Sequence, residues 1–150
     1  MRYAALLSFS LFLSLFALGC GPIGPFPGGS LSGEVATSLP DDWSFSDEVE
    51  NVQLETRPSE PYSVNVWGVG IGDRFYLASG RGGEAGWVRH IAEDPNVRLR
   101  VGGAIYELRA VRVSVDTDGD RFLEALKRKY DWEPSARERD RAWLFRLEPR

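Results

Sequence analysis

Residues 80–103 read GRGGEAGWVRHIAEDPNVRLRVGG, and the fold turns on how that stretch divides. Its last third is the plainest. Val97, Leu99 and Val101 alternate with Arg98 and Arg100, the period-two pattern of a strand with one buried face. Gly102-Gly103 then reverses the chain into a second alternating run from Ala104 to Val115. An antiparallel hairpin is expected there. The middle is helical, roughly Glu84 to Glu93, with Trp87 and Ile91 four apart on one face. Asp94-Pro95 ends it, because proline disfavours helical backbone in the residue before it. The first third, Gly80-Arg81-Gly82-Gly83, is a glycine-rich turn running into a helix start. Backbone N–H groups and an arginine in that setting suit an anion such as phosphate, and the same turn serves equally well as a plain strand-to-helix connection.

Outward from this stretch the pattern is mostly β. Upstream, Tyr62–Ile71 meets Arg74–Ser79 across Gly72-Asp73, which reads as another antiparallel hairpin, and SGEVAT and VENVQLETR show further alternation. Downstream, a helix is expected from Asp118 to Tyr130 with Phe122, Leu123 and Leu126 inward, followed by AWLFRLE as a closing strand. The sum is a mainly β chain with two short helices and six or seven mostly antiparallel strands, the makings of a small barrel. Its inward set is expected to include Val66, Phe75, Leu77, Leu99, Val101, Val113 and Phe145. Among the tryptophans, Trp67 and Trp143 are expected in the core, and Trp87 is the ligand candidate.

The N-terminus belongs to a different chemistry. Arg2 precedes an apolar run from Ala4 to Leu18 that is shorter than the ~20 residues a spanning helix needs, and small residues lead to Cys20, the plan of an export signal. Ala17-Leu18-Gly19-Cys20 resembles the bacterial lipobox, which implies cleavage after residue 19 and lipidation of Cys20. The expected organisation is a signal at 1–19, a Gly/Pro tether at 20–30 and one barrel domain at 31–150. The protein would then sit on the cell envelope, lipid-anchored to the outer face of a membrane, the outer membrane in a Gram-negative host since Gly21 follows the cysteine.

Several functions are disfavoured. A net charge of −4 with scattered basic residues makes nucleic acid a poor partner, and a single cysteine rules out internal disulfides and cysteine-type zinc sites. The lone histidine, His90, has no nucleophile partner of triad type and binds no metal by itself. Gly68-Val69-Gly70-Ile71-Gly72 lacks dinucleotide-binding spacing, and Asp116-Thr117-Asp118-Gly119-Asp120 lacks the closing glutamate of a calcium loop, so helix capping by Asp118 is the expectation there.

Ser79 and Gly80, the aromatic-led helix at Trp87, its end at Asp94-Pro95 and the basic-apolar strand Val97–Val101 together resemble the split β-barrel superfamily of pyridoxamine-phosphate-oxidase-like proteins, in particular its deazaflavin-dependent nitroreductase-like branch. The resemblance covers residues 60–115 and more loosely 31–148. It implies a split β-barrel, FMN or deazaflavin as cofactor, and pairing into a homodimer. It implies cofactor contacts from Ser79, Gly80, Arg81, Gly82, Trp87 and His90. FMN-type members usually carry a phosphate-binding lysine where this chain has Trp87, as in the deazaflavin branch. Catalytic residues stay unassigned, since such a cofactor carries the redox chemistry. Two classes of function are left open. One is a lipid-anchored, flavin- or deazaflavin-dependent oxidoreductase acting on a small or lipid-soluble electrophile. The other is an envelope interaction module that keeps the barrel without any cofactor.

Overall fold

The structure, a computed structural model, describes residues 21–150, with the side chains of 115–117 left aside. Cys20 and the leader lie outside the described residues. The elements run β1 (Glu34–Val35), β2 (Val52–Thr56), β3 (Tyr62–Val66), β4 (Gly68–Ile71), β5 (Arg74–Ser79), α1 (Gly86–Glu93), β6 (Asn96–Val101), β7 (Ala104–Val113), α2 (Val115–Tyr130), α3 (Ala136–Arg141) and β8 (Trp143–Pro149). Among the described residues eight strands and three α-helices thus stand where six or seven strands and two helices were expected.

The sheet order is β3-β2-β6-β7-β8-β5-β4, and every neighbouring pair on that path is antiparallel. Strands β3 and β4 hold opposite ends of the path, yet only Trp67 separates them in the chain, so the sheet curls until its ends meet. This is the split barrel. It corrects the expectation of one strand from Tyr62 to Ile71: the first half pairs with β2, Val52 opposite Val66, and only the second half pairs with β5, Gly68 opposite Leu77. The glycines explain the break, since a Cβ on Gly68 would lie 2.5 Å from the Phe75 ring and one on Gly70 2.4 Å from Trp43. The repeated glycines let β4 press against the interior.

The β6–β7 hairpin forms as expected, Leu99 opposite Tyr106. Strand β7 ends at Val113, two residues early, because α2 already begins at Val115. Asp118 therefore sits inside the first turn of α2, where it accepts a hydrogen bond from the Tyr76 hydroxyl at 3.1 Å and lies 3.5 Å from Arg146. The SGEVAT segment supplies only the two residues of β1, parallel to β7. Helix α3 escaped the apolar periodicity because none of its residues is buried; its signal is the capping box, in which Ser135 and Glu138 bond each other's backbone.

Two apolar layers result. The barrel interior gathers Trp43, Leu54, Phe75, Leu77, Trp87, Leu99, Val101, Phe145 and their neighbours. Outside, α2 lays Phe122, Ala125 and Leu126 over Val69, Tyr76 and Leu144. Val113 belongs to this outer layer and is only half-buried, so it leaves the expected inward set. Its neighbours in that set, Val66 to Phe145, are buried.

The Gly/Pro segment also behaves differently from a free spacer. Gly28 and Ser63 exchange backbone hydrogen bonds, Asn65 donates to the Gly24 carbonyl, and the Leu31 N–H donates to buried Glu55 at 2.6 Å. Glu55 is paired with Arg98 at 2.9 Å, and Arg98 and Arg100 donate to the carbonyls of Leu31 and Ser32. The outward arginines of β6 therefore clasp the incoming chain.

Candidate functional site

The glycine turn after β5 is shaped by packing at one end and open at the other. Gly82 has φ +56°, and a Cβ there would meet the Arg141 carbonyl at 2.7 Å; one on Gly83 would meet the Trp143 ring at 2.7 Å. Ser79 is buried and gives its hydroxyl proton to the Gly82 carbonyl at 2.8 Å, so it fastens the turn. Gly80, by contrast, faces open space, and Arg81 is exposed, its side chain making no hydrogen bond or ion pair among the described residues. Of the four expected anion contacts in this turn, Gly80 and Arg81 are free to make them.

Helix α1 starts without a side-chain cap on Ala85, which leaves its first N–H groups and their partial positive charge available. Close to that start lies a cluster that sequence reasoning missed. The Tyr62 hydroxyl is 3.8 Å from where a Cβ on Gly86 would be, the Tyr62 ring meets His90 edge-on at 4.9 Å, and the Arg57 guanidinium lies 5.5 Å over that ring. Arg57 follows β2 with φ +55°, an uncommon backbone for a residue carrying a side chain; its Nη1 pairs with Glu60 at 3.4 Å, and its Nε is buried with no partner among the described residues. An orphaned guanidinium N–H is costly, and an acceptor from outside the chain would satisfy it. The only hint in the sequence is Arg57-Pro58 closing a strand pattern.

His90 has a defined chemical state. Burial, then the positive charge of Arg57, lowers its pKa, so the ring is neutral at neutral pH. Thr56 Oγ1, with one proton to give, lies 3.0 Å from Nδ1 and 3.3 Å from the Tyr62 carbonyl. With the Thr56 proton on the Tyr62 carbonyl the ring carries Nδ1–H and Nε2 accepts; with that proton on the nearer Nδ1 the two ring nitrogens exchange roles. Trp87, the expected ligand contact, is buried and packs edge-on against Phe145 at 5.4 Å inside the barrel. The structure thus divides the expected set: Gly80 and Arg81 open outward, His90 joins Arg57 and Tyr62, and Ser79, Gly82 and Trp87 are engaged in packing.

On the other side of the turn lies a pocket of about 270 Å³, lined by Trp67, Gly80, Phe122, Leu126, Trp132 and Arg139 among others. Trp67, expected in the core, is 42% exposed and stacks on Tyr130 at 4.5 Å with Trp132 edge-on at 5.6 Å. Beside them Lys129 donates to the Gly68 carbonyl at 2.7 Å, and burial pulls its pKa down to about 8. A second, wider cleft of about 670 Å³ shares Arg139, Ala142 and Leu144 with the first and adds Arg112, whose guanidinium lies 3.4 Å over the Trp143 ring. The first pocket is mostly apolar and aromatic with Glu138 and Arg139 in its lining, the make-up of a site for a flat apolar molecule or ring, whereas the second is as polar as it is apolar, with Arg112, Arg139 and Asp140 in its lining. No cluster of three His, Cys, Asp or Glu side chains suited to a metal occurs among the described residues.

The family model of the F420H(2)-dependent quinone reductases matches residues 54–141, from within β2 to the end of α3, including the Arg57–Tyr62–His90 and Trp67–Tyr130–Trp132 clusters. Among solved structures the fold is similar to that of an F420 reductase, 21% identical over 75% of this chain and 96% of that one, TM-score 0.52. It is also similar to a Listeria innocua protein named for pyridoxamine 5′-phosphate oxidase, 12% identical over 69% and 86%, TM-score 0.54. A third structure, described as a domain-swapped dimer, is 14% identical over 67% and 81%, TM-score 0.54. No curated protein matches the chain.

Proposed function

Because the chain belongs to the F420H(2)-dependent quinone reductase family, we propose that it is a deazaflavin-dependent oxidoreductase, anchored to the outer face of an envelope membrane through lipidated Cys20, and that it reduces a small or lipid-soluble electrophile. The observation that carries the cofactor reading is the Nε of Arg57, left without a partner among the described residues while Nη1 pairs with Glu60, over the Tyr62 ring whose hydroxyl reaches the uncapped start of α1. Those donors, with exposed Arg81, fit the phosphate of a phosphorylated deazaflavin.

A reduced deazaflavin, when bound, supplies a hydride. The residues of this chain bind, orient and shield. Arg57, Arg81 and the α1 N–H groups would hold the anionic end, and Gly80 permits close approach of the backbone. Trp67, Phe122, Leu126 and Trp132 would seat an apolar acceptor and exclude water from it. Neutral His90, in the tautomer that leaves Nε2 able to accept, would take a hydrogen bond from a bound ring or move a proton at that atom. The similarity to a domain-swapped dimer supports a homodimer.

Titrating the detergent-solubilised full chain with F420, and in parallel with FMN, tests this through quenching of fluorescence. Arg57→Ala and Arg81→Ala are each expected to weaken F420 binding at least tenfold, about 1.4 kcal/mol. Since Arg81 is exposed and unpartnered, its variant should also keep the wild-type unfolding midpoint. Absence of binding by the wild-type chain at millimolar F420 overturns the oxidoreductase reading and leaves the cofactor-free envelope module.

A further inference from the structure

Ile23 and Phe26 are the two most exposed large apolar side chains described, at 73% and 71%. They are held in a rigid turn: each backbone N–H donates to the other's carbonyl, at 3.1 and 3.0 Å, around Gly24 at φ +55° and Pro25. Two residues that exchange both hydrogen bonds point their side chains to the same side, so Ile23 and Phe26 form one projecting apolar knob. An isolated exposed apolar residue is ordinary, whereas a preorganised pair at the tip of a turn is the form of a contact surface.

The chain itself says what covers it. The segment is docked on the barrel from its first described residues: Pro22 is buried, its carbonyl faces the Gln53 amide at 3.5 Å, and the Asn65 amide donates to Gly24 at 3.0 Å. Successive Cα atoms lie about 3.8 Å apart, so Cys20 stands within a few residues' reach of this docked turn. From Tyr3 to Gly33 the sequence contains no charged residue, and an approach of this face to hydrocarbon buries no charge of that segment. A flexible spacer would let the barrel drift away from its anchor; a clasped one cannot.

We infer that the Ile23–Phe26 turn inserts into the lipid surface beside the acylated cysteine and fixes the barrel's orientation on the membrane. This rests on the lipid-anchoring reading of Cys20. The clasp of Glu55, Arg98 and Arg100 on residues 31 and 32 transmits that orientation to the sheet. A lipid anchor on Cys20 holds the chain at the membrane without fixing how the barrel faces it, and a second apolar contact fixes that orientation.

The test uses the full chain, processed in a lipoprotein-competent bacterial host and reconstituted into vesicles of phosphatidylethanolamine and phosphatidylglycerol. Phe26→Cys carries an environment-sensitive fluorophore, and Asp140→Cys on the exposed face of α3 is the reference. An acylated Cys20 cannot take the label, so each variant has one reporter. Nitroxide-bearing lipid is expected to quench the label at position 26 at least twofold more than the label at 140, with the unfolding midpoint unchanged in both. Vesicle-bound protein quenched equally at the two positions overturns the insertion while leaving the anchor intact. Label uptake at Cys20 by a protein that stays in the aqueous phase overturns the anchor and the insertion with it. Shielding at position 26 that rises with protein density and ignores the nitroxide assigns the turn to a second copy of the chain and likewise overturns the proposal.

Discussion

The molecule holds two aromatic clusters that look alike in composition and differ in use. Inside the barrel, Trp43 meets Tyr106 at 4.8 Å and Phe75 at 5.0 Å, and Trp87 meets Phe145 at 5.4 Å, all at steep angles and all buried. Outside it, Trp67 lies flat on Tyr130, 11° from parallel, with Trp132 beside them and a pocket against their edges. Both the inner and the outer rings are held by strands and helices with high apolar content. The inner cluster lies within the curled sheet with α1 packed into it, whereas the outer one is roofed by a single long helix and by α3, which buries nothing of its own. Room for a ligand arises where one layer covers another incompletely.

The sharpest way to break this comparison is to remove volume from the interior. Phe75 is fully buried, and Phe75→Ala should cost about 3–5 kcal/mol in denaturant unfolding, from lost apolar burial plus a cavity the curled sheet cannot collapse around. A cost below 1 kcal/mol would mean that the interior is as loosely filled as the outer layer.

Adding volume tests the same difference from the other side. Leu99→Phe in the interior forces strain and should cost about 1–3 kcal/mol. Leu126→Phe adds its extra atoms beside the 270 Å³ pocket, and its cost should stay under about 1 kcal/mol while capacity for an apolar ligand falls. Equal costs at the two positions, read from unfolding midpoints, would remove the distinction.

The smallest expected effect is a pH dependence confined to the outer cluster. The Lys129 pKa lies near 8, below the 10.5 of a solvated lysine, so between those values the unfolded chain binds more protons than the folded one. Stability contributed at this site is therefore lowest below pH 8 and rises as pH climbs toward 10.5. Replacing Lys129 with Met should flatten that rise, measured as the slope of unfolding free energy against pH. An unchanged slope would place Lys129 in ordinary solvent. His90 acts in the acidic range: its lowered pKa means that stability falls as pH drops below 6.5.

How far the site could be read from residues alone differs from one side chain to the next. Arg81 is singled out in the sequence by its glycine turn before a helix start, and the structure leaves its side chain exposed, with no hydrogen bond or ion pair among the described residues. Arg57 was illegible. What marks it is a positive φ, a Nε with no partner among the described residues, and a place over the Tyr62 ring, five residues on, which meets His90 of a helix far along the chain. Trp67, expected in the core, is exposed, and Trp87, the expected ligand contact, is buried, since strand alternation and helical spacing state that a residue has a face without stating what that face meets.

By itself the sequence determined what is local: the β6–β7 hairpin through its alternation and Gly102-Gly103, helix α1 through its spacing and Asp94-Pro95, and the long outer helix through Phe122 and Leu126. These follow from interactions within a turn or between adjacent strands, which a short window of residues contains. Tertiary structure alone decided the break at Trp67 that closes the sheet, the docking of the Gly/Pro segment under the arginines of β6, and the meeting of Arg57 with His90. Each of these sets side chains from distant parts of the chain against one another, and their energies depend on packing and desolvation that exist only once the barrel has closed.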